Sequence, residues 1–137
     1  MLLILLGCVM ISSMSSAATQ GDPLARFRWK ARVLVVLAVD PQSPALAEQK
    51  RQFDSLSNGA QERDLVLVQP LAGSPEATTL RARLGLDDGT FWAVLVGKDG
   101  GAKLSAPQPI SARELAATID AMPMRQDEMR RARSRPE

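Results

Sequence analysis

Apolar and polar residues follow one another in blocks that predict a strand and then a helix in the first half of the chain. Residues 32–39 form a run of β-branched and other apolar residues, which is typical of a strand covered on both faces. Asp40 and the proline after it end that run. Ser43 then stands where a helix N-cap is expected, with Pro44 at the first helical position, and an apolar stripe continues to a predicted stop at residues 58–59.

The same order is repeated further along the chain. Residues 65–69 predict a second strand, Ser74 and Pro75 mark a second helix start, and Gly85 ends that helix. A helix between two strands predicts that the strands lie parallel and are joined by a right-handed crossover.

The second half of the chain predicts an antiparallel hairpin followed by helices. Residues 91–97 form a strong strand pattern, and a glycine-rich turn leads into a short returning strand at residues 102–105. A capping box beginning at Ser111 starts a helix that Pro123 ends, and residues 123–133 predict one more helix.

Strand, helix, strand, helix, hairpin and helix is the βαβ–ββα order of a thioredoxin-like domain. We therefore predict an α/β fold with a four-stranded mixed sheet, the first strand inside the sheet and helices on both faces. The predicted organisation is a signal peptide at residues 1–18, an N-terminal lead-in at 19–31, a thioredoxin-like domain at 32–122, and a C-terminal helix and basic tail at 123–137.

An apolar run at residues 2–11, followed by small residues at 16–18, predicts a signal peptide cleaved after Ala18, and hence a periplasmic or secreted protein. The run has about half the length of a membrane-spanning helix, and no later segment is apolar enough to be one. Cys8 leaves an alternative open. The residues before it resemble a bacterial lipobox, which would make Cys8 a lipidated first residue.

The composition excludes several classes of chemistry. The 137 residues include one cysteine, Cys8 in the predicted leader, and no histidine. This excludes thiol redox chemistry, imidazole catalysis and Cys/His metal sites from the mature protein, and we assign no catalytic residue, metal ligand or cofactor. Seventeen basic and fifteen acidic residues give a net charge of +2. The arginines of the last thirteen residues are predicted to be a frayed, solvated tail rather than a nucleic-acid site.

Three groups of residues invite a functional interpretation but have a simpler structural one. Phe27 and Trp29, which stand among cations, are predicted to pack against the sheet edge while the cations face water. Asp40 and Asp64 are expected at opposite ends of neighbouring strands, which argues against a paired-carboxylate site. The carboxylates at residues 87–88 are too few for a calcium site.

Four segments resemble one bacterial family. They are Trp-Lys-Ala-Arg at residues 29–32, Glu-Arg-Asp at 62–64, Gly-Lys-Asp-Gly-Gly at 97–101 and Asp-Ala-Met-Pro-Met-Arg at 120–125. In this order and spacing, over residues 22–131, the chain resembles the DUF4174 family of exported proteins. The resemblance implies a thioredoxin- or peroxiredoxin-like fold, related to domains of animal sushi-repeat and coiled-coil matrix proteins, and it implies no established activity.

The chain departs from redox thioredoxins at the positions that carry their chemistry. Residues 40–44 replace the helix start that bears the paired cysteines, and residues 87–90 contain no proline where a cis-proline is usual. We therefore predict that these two loops form a non-covalent binding surface. Its candidate residues are Asp40, Gln42, Ser43, Gly89 and Thr90.

Two classes of function stay open. The first is a redox-inert, monomeric binding module whose partner is a protein or peptide in the cell envelope, and which binds no nucleic acid. The alternative is an envelope enzyme that uses carboxylate, Lys or Arg groups. A buried carboxylate or lysine with a strongly shifted pKa in a concave pocket would favour the enzyme. A flat apolar patch near residues 40–44 would favour the binding module.

Overall fold

A computed structural model describes residues 21–136 of the chain. The strands in this range are β1 (Arg32–Leu37), β2 (Leu65–Val68), β3 (Trp92–Val96) and β4 (Ala102–Ala106). The helices are α1 (Pro44–Ser55), α2 (Asn58–Glu62), α3 (Pro75–Leu84), α4 (Ala112–Asp120) and α5 (Pro123–Ser134), and a short 3-10 helix (Ala25–Phe27) precedes β1.

The four strands form one mixed sheet in the order β2-β1-β3-β4. β1 runs parallel to β2, with Arg32 opposite Leu65, and antiparallel to β3, with Val33 opposite Val96. β4 returns antiparallel to β3. All six residues of β1 are buried, because helices cover both faces of the strand. The predicted α/β class, the mixed sheet and the interior position of the first strand are confirmed.

Alternate residues of β1 point into two separate apolar cores. Leu34 and Val36 pack with the buried residues of α2 and α4, and α1 covers the same face. Val33 and Val35 face the other way and pack with Leu80 of α3. The predicted placement of helices on both faces is therefore confirmed, and it follows from the period of two along a strand.

All three predicted serines occupy N-cap positions, but only two of them form a capping hydrogen bond. The hydroxyl oxygens of Ser74 and Ser111 accept hydrogen bonds from backbone N–H groups three residues further on, at 3.2 and 3.1 Å. Ser43 occupies the N-cap position of α1, but its side chain makes no capping bond. The turn before α1 is instead held by Asp40, whose carboxylate accepts from the N–H of Gln42 at 2.7 Å.

The predicted stop of the first helix at residues 58–59 is wrong. α1 ends at Ser55, and residues 58–62 form the additional short helix α2. The break lies at Ser57, whose φ of +49° interrupts the helical backbone. Ala60 of α2 is buried in the same core as Leu65 of β2. The short helix α2 therefore packs against the sheet, where the sequence predicted only the end of the first helix.

The aromatic residues before β1 differ from each other. Phe27 is half-buried and packs against the core that contains Leu80, as predicted. Trp29 is 65% exposed, so the prediction that it packs on the sheet edge is wrong. Its backbone lies in the left-handed region, with φ +65°, and its N–H donates to the carbonyl of Lys98 at 2.7 Å. The indole of Trp29 lies outside both apolar cores.

No helix within residues 21–136 has both the length and the apolarity needed to cross a bilayer. The predicted leader, including Cys8 and the cleavage site after Ala18, lies outside the described residues.

Candidate functional site

The two predicted binding loops lie at the carboxyl end of β1. Asp40, Gln42 and Gly89 are exposed, and Ser43 and Thr90 are half-buried. Asp40 and Asp64 stand at opposite ends of the parallel pair β1 and β2, as predicted, because one follows β1 and the other precedes β2.

Arg81 of α3 fastens the loop at residues 87–90 to the carboxyl end of β1. Its guanidinium donates from Nη1 to the carbonyls of Asp87 (2.5 Å) and Thr90 (2.8 Å), and from Nη2 to the carbonyl of Ala38 (3.4 Å). Arg81 is 5% exposed, so these bonds replace water around a buried charge. The loop before β3 is thereby held beside the end of β1.

Sequence reasoning missed Arg81, although a signal existed. Arg81 lies four residues after Ala77 and beside Leu80, which places it on the buried stripe of α3. The same guanidinium argues against a cation at residues 87–88, because a positive charge already binds the carbonyl of Asp87. Within the described part of the chain, no group of three or more His, Cys, Asp or Glu side chains is arranged to hold a metal ion.

An apolar cavity adjoins the predicted loops. It measures about 200 Å³, and it is lined by Ala38, Pro41, Leu46, Gln69, Pro70, Leu71 and Ala72. Leu71 is 70% exposed at its rim, and Val39 nearby is 55% exposed. A smaller cavity of about 140 Å³ lies on the other side of Ala38 and includes Val39, Gly73 and Arg81 in its lining. The carboxyl end of the sheet thus carries two small cavities beside the predicted loops, the larger lined mainly by apolar residues.

A network of ion pairs occupies the opposite, amino end of β1. Arg32 is 1% exposed and donates from both Nη atoms to the Glu128 carboxylate, at 3.2 and 3.3 Å. Its Nη1 also donates to the carbonyl of Arg63 at 2.7 Å. Lys98 donates to Glu128 at 2.6 Å and to Asp64 at 2.8 Å. Burial raises the pKa of Glu128, but hydrogen bonds from Lys98 and Arg32 outweigh it and leave that pKa below its ordinary value.

A second carboxylate extends the network along α4 and α5. Asp120 accepts two hydrogen bonds from Arg63, at 2.8 and 3.0 Å, and one from Arg125 at 3.2 Å. The bond from Arg63 is the main reason that the pKa of Asp120 lies below its ordinary value. Arg125 also donates to the carbonyl of Glu62 at 3.0 Å. Each of the four segments that carry the family resemblance contributes a residue to this network.

The network corrects the prediction for the end of the chain. The first half of α5 is not a frayed tail, because Arg125 and Glu128 fasten it to α2, β1 and the turn after β3. The later arginines of α5 and the residue after it are exposed, as predicted. The sequence signal for Arg32 was a charge at the start of an apolar run, and its partner Glu128 lies 96 residues away.

The fold and both ends of the sheet define a class: an α/β domain with a mixed four-stranded sheet and, among its described residues, no metal-binding cluster. A family model described as a domain of unknown function, DUF4174, matches residues 23–128, and the chain belongs to that family. The search of curated proteins gave no significant match.

Proposed function

We propose that this protein is an exported, redox-inert, thioredoxin-like module that binds a protein or peptide non-covalently at the carboxyl end of β1. One observation carries the proposal. Two exposed apolar side chains, Leu71 and Val39, line neighbouring cavities that meet at Ala38, beside the predicted loops. Exposed apolar side chains grouped around a concavity are typical of surfaces that bind another chain.

The loops around this surface are held in place before a partner arrives. Arg81 bonds Asp87 and Thr90 to Ala38, and the Asp40 carboxylate accepts from the N–H of Gln42 within the other loop, so binding would order little additional backbone. Pre-ordered loops lower the entropic cost of association. This favours a role in recognition at the carboxyl end of the sheet.

The chemistry of the surface favours binding over catalysis. None of the residues that line the 200 Å³ cavity is ionisable, which leaves no acid, base or charged nucleophile there. The sequence has no histidine and no cysteine after Cys8, so thiol exchange has no nucleophile in a protein cleaved after Ala18. The export part of the proposal rests on the apolar run at residues 2–11 and the small residues at 16–18.

Site-specific photo-crosslinking in cells tests the proposed surface. A photoreactive residue at position 71 or 42 is expected to capture a discrete partner, whereas the same residue at exposed Ala117 on α4 is expected to capture none. Gln42→Arg and Thr90→Arg are expected to weaken capture from position 71 while leaving the melting temperature nearly unchanged. Gln61→Arg, on the exposed side of α2, is the matched control.

The proposal is wrong if positions 71 and 117 capture the same proteins. It is also wrong if both arginine substitutions leave capture intact, in which case the basic end of α5 becomes the next surface to probe.

A further inference from the structure

A separate cavity of about 280 Å³ lies at the amino end of β1, between the β3–β4 turn and the junction of α4 and α5. Its lining combines apolar residues with three cations and one carboxylate, Asp99, which pairs with Lys103; the lining residues are Arg32, Gly97, Lys98, Asp99, Lys103, Met122, Pro123 and Met124. We propose that this cavity binds a small organic carboxylate with a short apolar chain. The proposal is independent of the binding surface at the other end of the sheet.

The first argument is a buried N–H group without an acceptor. Arg32 lines the cavity, is 1% exposed, and uses both Nη atoms in bonds to Glu128 and Arg63. Its Nε is shielded from solvent and has no hydrogen-bond partner. A buried donor left unpaired is costly, and a carboxylate oxygen that enters as the side chains around Nε shift would supply an acceptor that the described residues do not provide.

The second argument is the uncapped start of α5. This helix of 12 residues begins with Pro123 at its first position, and the N-cap residue, Met122, provides no side-chain acceptor for the free N–H groups of the first turn. Met122, Pro123 and Met124 all line the cavity. The free N–H groups and the positive end of the helix dipole both favour an anion there.

The third argument concerns the lysines on the wall. Lys103 is 36% exposed and bonds to Asp99, while Lys98 is 10% exposed and bonds to Asp64 and Glu128. Asp64 is 52% exposed, and such a surface partner contributes little to binding the ammonium. A carboxylate in the cavity can therefore share Lys98 with Glu128 and displace Asp64 toward water.

The apolar part of the lining selects an organic anion over an inorganic one. Met122 and Met124 are flexible, polarizable side chains that adapt to short alkyl groups, and Met124 is 38% exposed. The cavity, at about 280 Å³, has room for a carboxylate with a short alkyl chain. A short alkyl carboxylate meets both requirements, with its head toward Arg32 and Lys103 and its chain against the methionines.

Titration with hexanoate, observed through the methyl signals of ¹³C-methyl-methionine protein, tests the proposal. Hexanoate is expected to shift the signals of Met122 and Met124 but not that of Met129, which lies outside the cavity. Hexan-1-ol, which lacks the charge, and inorganic phosphate, which lacks the chain, are expected to produce much smaller shifts at equal concentration.

A pair of lysine variants separates the cavity from general surface charge. Lys103→Gln is expected to weaken hexanoate binding about tenfold, because it removes one charge-assisted hydrogen bond. Lys50→Gln is the control, since Lys50 also pairs with an aspartate four residues away but lies on α1. Equal shifts with hexanol or phosphate would overturn the proposal, as would unchanged affinity in Lys103→Gln or an absence of shifts at Met122 and Met124.

Discussion

A buried arginine in the central strand makes the fold depend on one distant carboxylate. Arg32 is almost fully buried, and Glu128 is its only acidic partner among the described residues. Removing one member of a buried ion pair is costly, because the other charge is left without compensation. We expect Glu128→Gln to lower the free energy of unfolding by about 2 kcal/mol, less than for a fully buried pair because Glu128 is 20% exposed.

Urea unfolding at pH 7 measures this loss. Glu62→Gln, an exposed residue of α2, is the control and is expected to change stability by less than about 0.5 kcal/mol. A Glu128→Gln protein as stable as the parent would show that Arg32 is compensated without the carboxylate.

The same carboxylates set the dependence of stability on pH. The pKa values of Glu128 and Asp120 lie below their ordinary 4.5 and 3.8, so both groups bind protons more readily in the unfolded chain. Their contribution is therefore fully present above about pH 5 and is lost as the pH falls through the folded-state values. With no histidine in the sequence, we expect stability to be nearly flat from pH 6 to 7.5.

Unfolding midpoints between pH 3 and pH 7.5 check this expectation. In a protein carrying both Asp120→Asn and Glu128→Gln, the fall in stability below pH 5 is expected to become shallower. If the stability of this double variant still falls as steeply below pH 5 as that of the parent, other carboxylates cause the acid sensitivity.

At the scale of elements, local signals in the sequence predicted where strands and helices begin. Serine caps and prolines depend on neighbours only three or four residues away, so Ser74 and Ser111 were predicted correctly. The errors arose where distant contacts decide the structure. The burial of Ala60 against the sheet produced α2, and pairing with residues on other elements buried Arg32 and Arg81.

The three predicted helix starts provide a matched test of capping. Ser74→Ala and Ser111→Ala each remove a side-chain acceptor from a helix N-terminus and are expected to lower stability by about 1 kcal/mol. Ser43→Ala removes no such bond and is expected to be nearly neutral. Urea unfolding of the three variants measures the difference, and a loss at Ser43 equal to the other two would contradict the observed cap geometry.

At the scale of the whole molecule, the two ends of the sheet differ in chemistry. The carboxyl end carries a mainly apolar cavity, and Arg81 holds the 87–90 loop beside β1, whereas the amino end carries an ion network. The sequence predicted that the loops at residues 40–44 and 87–90 lie at the same end of the sheet, because strand order alone brings them there. The sequence could not predict the ion network at the amino end, because that network joins segments from Arg32 to Glu128 that only the folded chain brings into contact.

In the exported protein proposed above, the site at which the predicted leader is removed would decide whether this domain is free or held at a membrane. We expect the exported protein to begin at Thr19 and to carry no lipid, because small residues at 16–18 suit signal peptidase. The apolar run also continues past Cys8, which is unlike a lipobox. Intact-mass measurement of protein from the envelope fraction distinguishes the two forms. An acylated species beginning at Cys8 would contradict the prediction. In that case the domain would be tethered and could reach only partners near the membrane surface.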